Sequence, residues 1–194
     1  MIQKLLLASH NQGKIAELSA MLAPYGVEVL SAKDMDLPDV EETGETFAEN
    51  AALKAEALAE FSGLPCLADD SGLCVDALGG RPGVFSARYA ADNDARINKL
   101  IDELRMQENP DWSAHFSCVL ALKEPNQKVR FFEGRVDGKI IAEKRGNMGF
   151  GFDPIFVPHG YKTTFAEMSK ENKAAISHRG KALQKFIKEV FGAE

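Results

Sequence analysis

Apolar and polar positions alternate along this chain with two periods. Lys4 to Ala8 is a short apolar run and reads as a strand. After a polar loop, Ile15, Leu18, Met21 and Leu22 recur at helical spacing, and Pro24 and Gly26 stop the helix. Val27 to Leu30 reads as a second strand. Strand, helix, strand in this order predicts a crossover unit and an α/β fold. An acid-rich connection from residue 31 to 46 carries Asp34, Asp36, Asp39, Glu41, Glu42 and Glu45. Thr46 and Glu49 have capping-box spacing, so a helix is expected over 47–61, with Gly63 just past it. "LPCLADD" is predicted as strand three, ending at Asp70. Asn93 to Met106 reads as a helix with Ile97, Leu100, Ile101 and Leu104 on one face. The middle predicts strands at 115–122, 128–134 and 139–143, separated by "EPNQ" and "RVDG" turns that imply antiparallel neighbours. The loop "RGNMGFGFDP" precedes a strand "IFVP". The last helix has Leu183, Phe186, Ile187 and Val190 at core spacing. The expected architecture is α/β with a mixed sheet, formed by 194 residues as one domain.

Composition narrows the class. The chain is 45% hydrophobic and 27% charged, ordinary for a globular protein, with a net charge of -6. That balance argues against a nucleic-acid groove, but local basic residues and a metal still allow a phosphate ligand. The opening "MIQKLLLASHNQGK" has an apolar run too short for an export-signal core, and no stretch approaches the roughly 20 apolar residues of a membrane span. Cys66, Cys74 and Cys118 are odd in number and lack C-x-x-C spacing, which favours cytoplasmic thiols over disulfides or zinc.

Five segments carry candidate chemistry. "SHNQGK", Ser9 to Lys14, joins a strand to a helix, where free backbone N–H groups suit phosphate. It is not a Walker A loop, and an ordinary turn satisfies the same pattern. On the 47–61 helix, Phe47, Ala51, Leu58 and Phe61 form a stripe; Lys54 falls in its middle and Asn50 at its edge. A lysine there needs a carboxylate or phosphate partner, unless it snorkels to solvent. In "ADDSG", strand geometry would turn Asp69 and Asp70 to opposite faces, so the two acids need not do the same job. Metal binding or water activation competes here with simple turn chemistry. "GFGFDP" offers Phe152 for stacking on a planar base beside Asp153, against plain core packing of both rings. In "KENKAAISHRG", Lys173 lies on an apolar line with Ile176, Gly180 and Leu183. His178 and Arg179 fall off that line unless Gly180 breaks the helix.

Five motifs, "SHNQGK", "EETGETFAENAALKA", "ADDSGLCVDALGGRPGVFSARYA", "GFGFDPIF" and "ISHRGKAL", stand in the order and approximate spacing of the inosine triphosphate pyrophosphatase family. The chain resembles that family from Leu6 to about Phe186. The resemblance implies an elongated mixed sheet with flanking helices and two lobes around a cleft. It implies a homodimer that converts ITP, dITP or XTP to the monophosphate plus pyrophosphate with Mg²⁺. It assigns the triphosphate to Ser9, His10, Asn11, Gln12, Gly13 and Lys14. It assigns the metal to Glu42 and Asp70, with Glu41 the alternative after a one-residue shift. Asp70 would also be general base, with Asp69 and Lys54 in support. Ser71, Phe150, Gly151, Phe152, Asp153, Lys173, His178 and Arg179 would bind the nucleotide, Phe152 stacking on the base. Two motifs depart from the common pattern: Ser9-His10 replaces Thr-Gly, and Phe152 replaces Tyr or Trp. Neighbouring readings are a pyrophosphatase of modified pyrimidine nucleotides and a catalytically silent nucleotide-binding module.

Overall fold

The computed structural model describes residues 2–108 and 111–192. In chain order the elements are β1 (Lys4–Leu7), α1 (Gln12–Leu22), β2 (Glu28–Ser31), α2 (Phe47–Ser62), β3 (Cys66–Val75) and α3 (Asn93–Arg105). Then come β4 (Ser113–Lys123), β5 (Arg130–Ile140), β6 (Phe156–Pro158), α4 (Lys170–Ile176) and α5 (His178–Phe191). The strands pair in the order β2-β1-β3-β4-β5-β6. β1 runs parallel to β2 and to β3, whereas β5 and β6 are antiparallel, so the sheet is mixed as the sequence predicts.

The chain divides into two compact units. The first comprises the residues up to Asp70, Cys118–Gly134 and the chain from Arg179 onward. Alternation along its strands sorts side chains onto two faces. Leu5, Leu7, Leu67 and Leu120 pack with Leu18 and Leu22 of α1 and Leu183 and Phe186 of α5. Leu6, Ala8, Cys66, Ala68, Val119 and Ala121 pack with Ala51, Ala55 and Leu58 of α2. Small alanines on α2 let that helix lie close to the strands. Phe61, expected on the stripe, is instead 69% exposed, because the buried line runs through Ala55, Leu58 and Ala59.

The second unit comprises Ser71–Ser117 and Arg135–His178. Its core joins Leu73 and Val75 of β3, Ile97, Leu100 and Leu104 of α3, and Phe116 of β4 with Val136 of β5, Phe152, Phe156 and Phe165.

Three boundaries differ from the sequence expectation. β3 does not end at its acids; it continues through Ser71 and Gly72 to Val75. "RVDG" is no turn, and β5 passes straight through it. Gly138 is there because an added Cβ would lie 2.3 Å from the Val157 carbonyl oxygen of β6. The carboxy-terminal helix breaks at Ser177, which is extended with ψ 160°, and not at Gly180.

Candidate active site

Each candidate side chain is held by a local device that the sequence encodes. The β1–α1 loop is shaped by its own polar residues: Asn11 N–H donates to Ser9 Oγ (3.1 Å), and Asn11 Oδ1 caps α1 by accepting from Lys14 N–H (3.1 Å). Gln12 and Gly13 open the helix. His10 turns away along a different path, its ring 2.7 Å from Asp39 and 3.1 Å from the Leu37 carbonyl. α2 begins with the capping box read from sequence: Thr46 Oγ1 accepts from Glu49 N–H, and Glu49 accepts from Thr46 N–H.

The period-two reading of "ADDSG" holds. Asp69 follows Leu67 onto the α1/α5 face, and Asp70 follows Ala68 onto the α2 face. Both are buried. Asp69 Oδ1 meets Lys14 Nζ at 2.7 Å, and Oδ2 accepts from Arg179 Nε (2.8 Å) and from the Cys118 thiol (3.2 Å). Arg179 is gripped on its other side by Glu17 of α1. Burial alone would raise the Asp69 carboxyl, but the charges and hydrogen bonds of Arg179 and Lys14 outweigh it and hold it well below the usual range. Asp69 is therefore a permanently ionised anchor with its oxygens committed. Burial, reinforced by Asp69, keeps the Cys118 thiol protonated and a donor.

Asp70 is placed differently. Its Oδ1 is 3.9 Å from Lys54 Nζ, and its Oδ2 is buried without a hydrogen-bond partner among the described residues. Burial pushes its carboxyl up to about 6, against the pull of Lys54 and Lys14, with Glu42 and Asp69 adding to the rise. Lys54 does lie on the buried side of α2, only 12% exposed at the side chain, and it is paired. Its Nζ is 2.5 Å from Glu42 Oε1 and 2.8 Å from the Asp69 main-chain oxygen. Of the two neighbouring acids, Glu42 makes this contact and Glu41 is exposed. Lys14, Glu42, Lys54, Asp69 and Asp70 are thus gathered in the first unit, together with Arg179. Glu17 and Cys118 belong to the same network and were not singled out in the sequence. Glu17 lies 162 residues from Arg179, and no local pattern links them.

In the second unit, Asp153 Oδ2 accepts from Phe150 N–H (2.9 Å) and meets Lys173 Nζ at 2.7 Å. Gly149 permits this close loop, since a Cβ there would lie 2.0 Å from Asp153 Oδ2. Lys173 is buried, its Nζ 4.9 Å from the Phe150 ring centre and 5.7 Å from that of Phe165. Gly151 lies half-buried between the two phenylalanines. The expectation that Phe152 stacks on a base meets a difficulty, because that ring is 4% exposed within the core. Phe150 is the half-buried ring at the lysine. His178 is buried and stacked on Phe116, with ring centres 4.6 Å apart and planes 9° apart. Ser71 is half-buried in β3.

The first unit's centre has the makeup of an enzyme site for a polyanion: lysines held at their tips, one spent carboxylate and one that is short of partners. Among the described residues, no group of three or more His, Cys, Asp or Glu is placed to hold a metal ion by itself. The chain belongs to the Ham1 family, whose sequence profile matches residues 5–189. It is 49% identical over 185 residues to the dITP/XTP pyrophosphatase of Gluconobacter oxydans, covering 95% of this chain and 89% of that one. It is 47% identical to the dITP/XTP pyrophosphatase of Bacillus licheniformis, with 95% and 96% covered. The solved structure of a HAM1 protein from Coxiella burnetii superposes with a TM-score of 0.90 at 42% identity over the whole of both chains. The nucleoside-triphosphatase / dITP/XTP pyrophosphatase of Mycobacterium abscessus gives 0.75 at 43% identity, covering 95% and 98%. These findings agree with the resemblance read from the five motifs.

Proposed function

We propose that this chain hydrolyses non-standard purine nucleoside triphosphates (ITP, dITP and XTP) to the monophosphate and pyrophosphate. Membership of the Ham1 family and the names of its relatives support the substrate class. The observation that carries the chemistry is Asp70: a buried carboxylate with one unpartnered oxygen and a raised pKa, beside Lys54 and Glu42. In the metal-free chain burial makes this carboxylate hold its proton more tightly than an ordinary aspartate does; beside a bound cation it would be ionised, and its part is to position water and accept its proton.

Glu42 and Asp70 fit a magnesium ion. They are hard oxygen donors, one of them unsatisfied, and a two-carboxylate set suits an ion whose remaining positions go to water and substrate phosphate. When bound, the ion supplies neutralisation between these carboxylates and the substrate's phosphates. Lys14 and Lys54 bring positive charge to the triphosphate as it shifts toward the leaving group. Asp69 keeps both lysines in place, Lys14 through its carboxylate and Lys54 through its main-chain oxygen. Asp70 positions the attacking water at the α-phosphorus and takes its proton.

The family resemblance assigns the nucleoside to Phe150, Asp153, Lys173 and their neighbours. Phe150 offers a partly open ring for stacking, and Asp153 fixes both that ring's backbone and Lys173. Phe152 supports the loop from below as core. Arg179 reaches the nucleotide only if it loosens from Asp69 or Glu17, so its first role is to hold Asp69. The family resemblance adds a homodimer, and three free cysteines suit a cytoplasmic enzyme. No helix among the described residues is long and apolar enough to cross a membrane. The test is a panel of ITP, dITP, XTP, dUTP, GTP and ATP with Mg²⁺, read as pyrophosphate release. Equal turnover of ATP and GTP, or none of ITP, contradicts the proposal.

A further inference from the structure

The acidic segment that carries Glu42 is not a free loop. Three consecutive main-chain N–H groups of it are fastened to the first turns of α2. Gly44 N–H donates to Asn50 Oδ1 (2.7 Å), and Glu45 N–H (2.7 Å) and Thr46 N–H (3.1 Å) donate to Glu49 Oε2. The last is half of an ordinary capping box. The bond from Asn50 is not, because it reaches back past the helix cap into the segment itself. Asn50 is fully buried, at 0% exposure. Its Nδ2 has no partner among the described residues. A buried donor left unpaired is costly, and an apolar side chain of the same shape would avoid that cost. Packing therefore does not explain an amide here. The work of its carbonyl end does.

Gly44 is shaped for the same contact. A Cβ at that position would lie 2.7 Å from Asn50 Oδ1 and 2.6 Å from Glu49 Cβ. Asn50 and Lys54 are four residues apart on α2 and share its face. One holds Gly44; the other holds Glu42, two residues upstream. Two residues of extended chain span at most about 7 Å, so fixing Gly44 confines Glu42 to a short arc. When a cation engages Glu42, it competes with the Lys54 ammonium for the same carboxylate. The neutral bond that Gly44 N–H donates to Asn50 Oδ1 is not contested in this way and keeps the segment in place.

We propose that Asn50 is a positioning residue that clamps the acidic segment to α2 and so presents Glu42 for magnesium. This rests on the reading that Glu42 is a metal ligand. Two variants break the clamp from opposite sides: Asn50→Leu removes the acceptor, and Gly44→Ala pushes the segment off it. Each is compared with wild type in two measurements. The first is the Mg²⁺ concentration giving half-maximal ITP turnover. The second is amide hydrogen exchange at residues 44 and 45 in metal-free protein. The half-activating Mg²⁺ concentration is expected to rise about fivefold, the factor for one neutral hydrogen bond, with kcat at saturating Mg²⁺ within about twofold of wild type. Exchange at 44 and 45 is expected to speed up by a similar factor. If Asn50→Leu does not fold, Gly44→Ala carries both measurements. Unchanged values in both overturn the proposal. So does a higher Mg²⁺ requirement without faster exchange, since the effect then bypasses the segment. A wild type lacking Mg²⁺-dependent turnover removes the metal reading of Glu42, and the exchange data still decide whether the clamp exists.

Discussion

Replacing Asp70 with asparagine should make the metal-free protein more stable while removing its activity. The native carboxyl binds its proton up to about 6, against an unperturbed value of 3.8. The native state therefore holds that proton more tightly than the unfolded chain does. Ionising it destabilises the fold, and the cost grows as pH rises from 3.8 to 6 and is complete above 6. A gap of roughly two pKa units corresponds to about 3 kcal/mol at pH 8, about half that at pH 5 and little at pH 4. Asparagine has the same shape and no charge, so Asp70→Asn should recover most of that difference. For a chain of this size each kcal/mol moves the melting temperature by about 2–4 °C, which predicts a rise of about 6–12 °C at pH 8. Magnesium should narrow the gap, because it stabilises only the chain that retains its ligand. The assay is thermal and urea unfolding of both proteins at pH 8 and pH 4, with and without Mg²⁺. Equal or lower stability of the variant at pH 8, or a gain that does not shrink at pH 4, refutes the reasoning. The neighbouring residue supplies the opposite sign. Asp69→Asn leaves Arg179 and Lys14 without their carboxylate in a buried setting and should destabilise by about 3–5 kcal/mol, measured by the same unfolding curves.

The other expectations separate the roles of adjacent residues. Lys54→Met should lower kcat/KM for ITP by at least about 100-fold, since it removes a charge that Glu42 and Asp70 both face. Phe150→Ala should raise KM for ITP by about tenfold or more through lost stacking, with little loss of stability. Phe152→Ala should do the reverse, costing about 3–5 kcal/mol in urea unfolding because that ring is core. Thr46→Ala should cost about 1 kcal/mol of stability through the lost cap of α2, seen as a lower urea midpoint.

The elements that rest on local chemistry were legible in the sequence. Thr46 and Glu49 announced α2 because both halves of the capping box lie within four residues. Period two separated Asp69 from Asp70 correctly, because side-chain alternation in a strand does not depend on context. Where β3 ends was not legible. Two acids followed by Ser-Gly look like a turn, and only distant cations, Lys14 and Arg179 for one acid and Lys54 for the other, make them acceptable inside a strand. "RVDG" misled for a related reason: Arg135 and Asp137 pair along one strand face (2.7 Å), and Gly138 answers to β6 packed against it. The helix breaks at Ser177, three residues before Gly180. Phe150 and Phe152 look alike in "GFGFDP", and only the fold separates the half-buried ring from the one inside the core.

The measurement that bears most directly on the central claim is product analysis of ITP incubated with the wild-type chain and Mg²⁺, beside Asp70→Asn. The wild type should yield IMP and pyrophosphate in equal amounts, and the folded variant neither. Release of IDP and inorganic phosphate, or unaltered turnover by Asp70→Asn, would contradict that claim.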